Sequence, residues 1–123
     1  MSHYHLSYDA INCKKHFNDD YDEAKRYLLC TILSIPHQYL KSLGSLCEST
    51  LLIELVNDDS DRLFKYLKEN LSTYFYFVIT RIAITNGEHE IEHNENKTLM
   101  DNFKNTFNKT VCNNLLQEIK TQY

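Results

Sequence analysis

Glycine and proline are almost missing from this chain, two of the first and one of the second in 123 residues. Loops are therefore expected to be few, or poor in turns that need a left-handed backbone or a fixed φ. There is no glycine-rich phosphate loop and no G-x-S-x-G nucleophile elbow. No apolar run reaches the ~20 residues that a membrane-spanning helix needs, so no membrane association is expected. Met1-Ser2-His3 runs straight into a strand-like segment, so no secretory leader is expected. The four cysteines, at 13, 30, 47 and 112, form no C-x-x-C pair. That pattern predicts reduced thiols in a cytoplasmic protein, in which the Asn-x-Ser/Thr triplets at Asn70, Asn96 and Asn108 carry no glycan. An excess of positive charge is also missing. The net charge of -4 argues against a surface coated for duplex DNA, because phosphate neutralisation supplies most non-specific affinity.

What the chain does have is a globular composition, with 42% apolar residues, nine Tyr and six Phe, and a length that suits one domain. The segment His3 to Ala10 alternates as a strand does, with Tyr4, Leu6, Tyr8 and Ala10 on one face and His3, His5, Ser7 and Asp9 on the other. Residues 11–19 read as a loop. A helix is predicted from Asp20 to Ile35 on the stripe Ala24, Leu28, Thr31, Ile32 and Ile35, and Pro36 ends it. Two strands follow, Tyr39 to Leu43 and Ser49 to Val56, with a turn at Gly44-Ser45 between them. The cluster Asn57-Asp58-Asp59-Ser60 caps a helix that runs to Leu71, and Tyr74 to Thr85 is dense in aromatic and β-branched residues, the mark of a strand. Residues 87–96 read as an acidic linker. From residue 97 to 123 an amphipathic helix is predicted on Leu99, Phe103, Phe107, Val111, Leu115 and Ile119, as part of the same domain.

The order β-α-β-β-α-β followed by a helix predicts an α+β, ferredoxin-like βαββαβ core over residues 1–86. Its helix-facing set is expected to include Tyr74, Tyr76 and Val78. The opposite face would carry Leu52, Val56, Phe75, Phe77, Ile79 and Arg81, too apolar to sit bare in water, so a second copy or the last helix is expected to cover it.

Tyr4-His5-Leu6-Ser7-Tyr8-Asp9 resembles the opening strand of the SinR-like family, and Leu46-Cys47-Glu48-Ser49-Thr50-Leu51-Leu52-Ile53 resembles that family's third strand. SinR-like proteins are similar to the small, non-integrase subunit of the CRISPR adaptation complex and, more distantly, to VapD-type toxins. The resemblance covers about the first two-thirds of the chain. It implies a ferredoxin-like homodimer with sheets packed face to face, in a bacterial or mobile-element setting. It also implies that an Asp at the end of the first strand, paired across the dimer axis, is a magnesium or manganese ligand for phosphodiester cleavage. Only Asp9 matches that position. Some proteins of this kind are structural dimers that hold DNA without cutting it. The acidity of this chain and its long helical tail depart from the family pattern.

Four sets of residues could serve a site. Asp9 is the candidate catalytic residue and magnesium ligand, with Ser7 as a hydrogen-bonding helper; the plain alternative is a loop aspartate that accepts backbone hydrogen bonds. Lys14, Lys15 and His16 form a small basic patch that could touch phosphates, against the alternative of a solvated loop beside Asp19, Asp20 and Asp22. His89-Glu90-Ile91-Glu92-His93 matches H-E-x-x-H, which on a helix puts both histidines on one face for zinc; a solvated acidic segment is the more common fate of such a run. Phe75 and Phe77 could stack bases, though core packing is the usual role of such aromatics. The leading reading is a nucleic-acid-associated dimer with metal-dependent nuclease activity. A non-catalytic dimer that binds protein partners through an acidic surface is the alternative, and a small zinc-binding protein is the third.

Overall fold

The computed structural model describes residues 1–82, the backbone of 84–85 and 88–89, and residues 101, 112, 122 and 123. In chain order the elements are β1 (Ser2–Ala10), α1 (Cys13–Phe17), α2 (Tyr21–Leu33), β2 (Leu40–Cys47), β3 (Thr50–Leu55), α3 (Ser60–Leu71), β4 (Phe75–Ile82), β5 (Ile84–Thr85) and β6 (Glu88–His89). The first four strands form an antiparallel sheet in the order β2-β3-β1-β4. This is an α+β architecture compatible with the ferredoxin-like arrangement. β1 is an inner strand because both of its edges are paired, Leu6 lying opposite Leu51 on one side and Ile79 on the other.

Local chemistry explains the helix boundaries. Asp20 accepts hydrogen bonds from the backbone N–H of Asp22 and Glu23 and so starts α2, and Asp59 does the same for α3 through Arg62. Residues 13–17, expected in a loop, form the short helix α1. It begins where Asn12 takes a left-handed backbone (φ 46°) and its side chain accepts from the Lys15 N–H. Asn and Asp tolerate this conformation better than other non-glycine residues. Asn12, Asn18 and Asp19 thus supply the turns that scarce glycine does not.

The core lies between one face of the sheet and the helices α2 and α3. Tyr4, Leu6, Leu51 and Ile53 from the sheet meet Leu28, Ile32, Leu63 and Leu67 from the helices, all fully buried. Three tyrosines tie these elements together by their hydroxyls, one between sheet and helix and two between α2 and α3. Tyr4 is 2.8 Å from the Ser60 hydroxyl, Tyr66 donates to the Thr31 carbonyl at 2.5 Å and Tyr27 to the Asn70 carbonyl at 3.1 Å. Such bonds let an aromatic ring be buried without leaving its hydroxyl unsatisfied.

The structure corrects four further expectations. β4 has the opposite phase: Phe75, Phe77 and Ile79 face the helices, while Tyr76 and Val78 are 68% and 64% exposed on the other side. Phe75 and Phe77 are therefore core-side residues and are not placed to stack bases. The turn between β2 and β3 falls after Cys47, and Gly44 sits inside β2. Cys30, buried on α2, is joined to Cys112 in a disulfide, so these two thiols are not free as expected; Cys13 and Cys47 are. Finally, residues 88–89, placed in an acidic linker, form β6 and pair with β5 in a two-stranded ladder, Ile84 opposite His89. The remainder of that linker and the helix expected over 97–123 lie outside the described residues, apart from isolated positions. Two of these, Cys112 and Tyr123, reach the helix layer: Cys112 through α2, and Tyr123 through Arg62 of α3 and the rings of Tyr39 and Tyr66.

Candidate functional site

Alternation along β1 puts His3, His5, Ser7 and Asp9 on the sheet face that α2 and α3 do not cover. Pairing sets their neighbours. Asp9 lies opposite Tyr76; Ser7 lies between Val78 on β4 and Thr50 on β3. The Ser7 and Thr50 hydroxyl oxygens are 3.4 Å apart. Together Ser7, Asp9, Thr50, Tyr76 and Val78 line a shallow cleft of about 270 Å³ at the end of the sheet. Asp9 itself is exposed.

The cleft is held from behind. The Tyr8 ring points into the core and its hydroxyl donates to the Glu48 carbonyl at 3.1 Å, while the Tyr8 N–H donates to the Ser49 carbonyl at 3.0 Å. Burial, with the nearby Tyr21 and Glu48, pushes the Tyr8 hydroxyl well above the ordinary tyrosine range. It stays protonated at neutral pH, which makes it a brace for the turn next to Asp9 and not an acid or base there.

The basic segment divides. Lys14 and Lys15 are exposed on α1. His16 turns aside and packs edge-on against Tyr74, with ring centroids 5.1 Å apart. His89 lies on β6 and not on a helix. The helical form of the H-E-x-x-H spacing therefore does not begin at His89. His93 and the nearby Glu92 and Glu95 lie outside the described residues. Among the described residues no group of three or more His, Cys, Asp or Glu is placed to hold a metal ion. A magnesium ion at Asp9 would thus draw its other ligands from water, from a phosphate or from a second copy.

Two features of the open face were not read from the sequence. Tyr76 is one; Phe is buried more often than Tyr, and that preference, applied to Tyr74-Phe75-Tyr76-Phe77, gives the correct phase of β4. The other is a polar cluster across three strands. Glu54 on β3 accepts from Lys41 at 3.1 Å and from Ser42 at 3.1 Å, both on β2, and faces His3 Nε2 on β1 at 3.4 Å. Desolvation works to raise the Glu54 carboxyl, but the hydrogen bonds from Lys41 and Ser42 and the charges of His3 and Lys41 outweigh it, and its pKa is lowered. No signal short of strand register would have assembled these four side chains.

No family model, no curated protein and no solved structure matches this chain. Among the described residues no helix is long and apolar enough to cross a membrane.

Proposed function

We propose that the chain is a nucleic-acid-handling homodimer with a ferredoxin-like core, related to the SinR-like proteins and the small subunit of CRISPR adaptation, and that Asp9 binds a divalent cation against a phosphodiester. The position of Asp9 carries this reading: an exposed carboxylate near the carboxyl end of an inner strand, on the face the helices leave open, beside two hydroxyls and an exposed aromatic ring. Tyr76 and Val78 are exposed there, and a second copy packed on this face would remove them from water. That packing also brings a second Asp9, supplying the carboxylate that one protomer lacks. Magnesium or manganese bound there would polarise a phosphoryl oxygen. Tyr76 would offer a ring on which a base can stack, and Lys14 and Lys15 would add positive charge from α1.

The test is cleavage of labelled single- and double-stranded RNA and DNA with magnesium or manganese, in the wild type and in Asp9→Asn. Metal-dependent cutting that disappears in the variant supports the proposal. Cutting that survives the substitution removes Asp9 from the mechanism. One observation favours a second reading, a non-catalytic dimer that binds a protein partner: Asp9 is the one carboxylate lining the cleft among the described residues, in a chain of net charge -4. Absence of cleavage on every substrate with both metals, by a protein that is nonetheless dimeric, selects that reading.

A further inference from the structure

Cys30 and Cys112 share one disulfide, but they stand in different surroundings. Cys30 is fully buried on α2, whereas Cys112 is only half-buried. An external thiol therefore meets the bond from the Cys112 side. The packing of α2 has other supports: Ala24, Leu28 and Ile32 are fully buried, and the Tyr66 hydroxyl of α3 donates to the Thr31 carbonyl at 2.5 Å. A thiol left at Cys30 would sit in the core as a small hydrophobe, a common fate of free cysteine.

Tyr123 also reaches the helix layer. Its ring lies 5.4 Å from those of Tyr39 and Tyr66, centroid to centroid. The Arg62 guanidinium stands 4.3 Å from the Tyr123 ring and 4.7 Å from the Tyr39 ring. It donates to the Tyr123 carbonyl from Nε at 2.8 Å, and from Nη2 as well. Contacts of this kind between half-exposed groups are individually weak, so the docking of Tyr123 depends on how closely the chain is held nearby.

We infer that the Cys30–Cys112 bond is a redox latch: oxidised, it keeps Tyr123 against Arg62, Tyr39 and Tyr66, and reduction by a dithiol loosens that contact. One thiolate of the dithiol attacks the Cys112 sulfur, the S–S bond breaks, and Cys30 leaves and takes up a proton. The second thiol of the reductant then attacks the mixed disulfide. Cys112 departs and is protonated, and the reductant carries away the new disulfide, having given two electrons. Access decides the direction of attack, because Cys30 has no exposed surface. The bond fixes the chain about 11 residues before Tyr123, whereas Ile82 at the end of β4 lies about 41 residues before it. Lengthening the connection by that ratio lowers the local concentration of its end about sevenfold.

The test uses the full chain with Cys13→Ala and Cys47→Ala, so that only the bonded pair reacts, and needs neither Asp9 nor a nucleic acid. Dithiothreitol should reduce the bond in the folded protein, with circular dichroism confirming that the fold persists. A brief iodoacetamide treatment should then label Cys112 and spare Cys30. Hydrogen exchange at the Arg62 Nε–H, which the Tyr123 carbonyl shields, should speed up about sevenfold on reduction. Cys112→Ser should reproduce that rate without reductant, and Tyr123→Ala should raise it in the oxidised protein. A purely structural cross-link would instead speed exchange at core amides such as that of Leu6 and leave Arg62 unchanged, which would overturn the inference. Reduction that requires unfolding, labelling of Cys30 as fast as Cys112, or an Arg62 rate that Tyr123→Ala does not move would overturn it too.

Discussion

Asp9 on β1 sits directly opposite Tyr76 on β4, so the exposed carboxylate and the most exposed aromatic ring of the described residues share one row of the open sheet face. Register alone puts them there. Sliding β4 by one residue would replace Tyr76 with Phe75 or Phe77 and reverse which β4 side chains meet the helices. The candidate site and the core are therefore set by the same pairing.

Val78 lies two residues further along β4 on that same face and is 64% exposed. If the face is the dimer contact, Val78→Lys should place two like charges in it and separate the copies. Light scattering at micromolar concentration is expected to report a dimer for the wild type and a monomer for the variant. The side chain is exposed within one chain, so the monomer's own stability should move by no more than about 0.5 kcal/mol. A wild type that is monomeric, or a variant that stays dimeric, would assign the face to something else.

The disulfide gives a second expectation. Cys30 and Cys112 are separated by 82 residues, and closing so long a loop restricts the unfolded chain. Cys112→Ser should lower stability by about 2–5 kcal/mol. A thiol titration in denaturant should count the two free cysteines before reduction and four after it. Reductant should lower the melting temperature of the wild type and leave that of Cys112→Ser unchanged.

Glu54 makes stability depend on pH. Its folded-state pKa lies below its ordinary value of 4.5. A carboxyl shifted down stabilises the fold above its unfolded pKa, and that stabilisation is lost as the pH falls through the folded value. Urea midpoints measured from about pH 6 down to pH 3 should fall less steeply in Glu54→Gln than in the wild type. The opposite pattern would mean that Lys41 and Ser42 do not hold the carboxylate in solution. At the alkaline end the sign reverses. Burial raises the Tyr66 hydroxyl, and the Tyr27 hydroxyl adds to that rise. Tyr66 therefore favours the fold below the ordinary tyrosine pKa of 10.0 and ceases to as the pH rises through its folded value.

Much of the framework is local and so was legible. Asp20 and Asp59 mark helix starts because a cap needs only its own next residues, and α3 ends at Leu71 as its apolar stripe predicts. The order of strands and helices follows from periodicity in the same way. Features that depend on partners distant in the chain were not legible. Gly44 reads as a turn, yet a side chain there would meet nothing within 4 Å and the residue continues β2. The Cys30–Cys112 bond and the His3–Lys41–Ser42–Glu54 cluster join residues whose spacing carries no pattern. The pairing of β5 with β6 could have been read: Asn86-Gly87 between extended segments is a strong hairpin signal, but residues 87–96 read as an acidic linker instead. At the site, Asp9 and Ser7 were legible from the alternation of β1, while Tyr76 was hidden by a run in which both faces of β4 are apolar or aromatic.

That last ambiguity gives the sharpest test of the structure, because adjacent aromatic residues should behave in opposite ways. Phe75 is 2% exposed and packs against Tyr8 and Phe17, with centroids 6.0 and 5.9 Å away. Removing its ring leaves a cavity among residues that are themselves held in place, so Phe75→Ala should cost about 3–5 kcal/mol. Tyr76 is 68% exposed and loses little packing within one chain. Tyr76→Ala should change the stability of the monomer by about 0.5 kcal/mol or less. It should instead weaken whatever the open face meets. For single-stranded nucleic acid the loss expected from one stacked base is about 1–3 kcal/mol, roughly 5- to 150-fold in affinity. Chemical denaturation of the two variants, made in the Val78→Lys background to remove any contribution from dimerisation, measures the first pair of numbers. Fluorescence anisotropy with a short labelled strand, on wild type and Tyr76→Ala without that change, measures the last. A large stability loss in Tyr76→Ala with a small one in Phe75→Ala would mean that β4 has the reverse phase, and with it that Asp9 has no aromatic neighbour on its face.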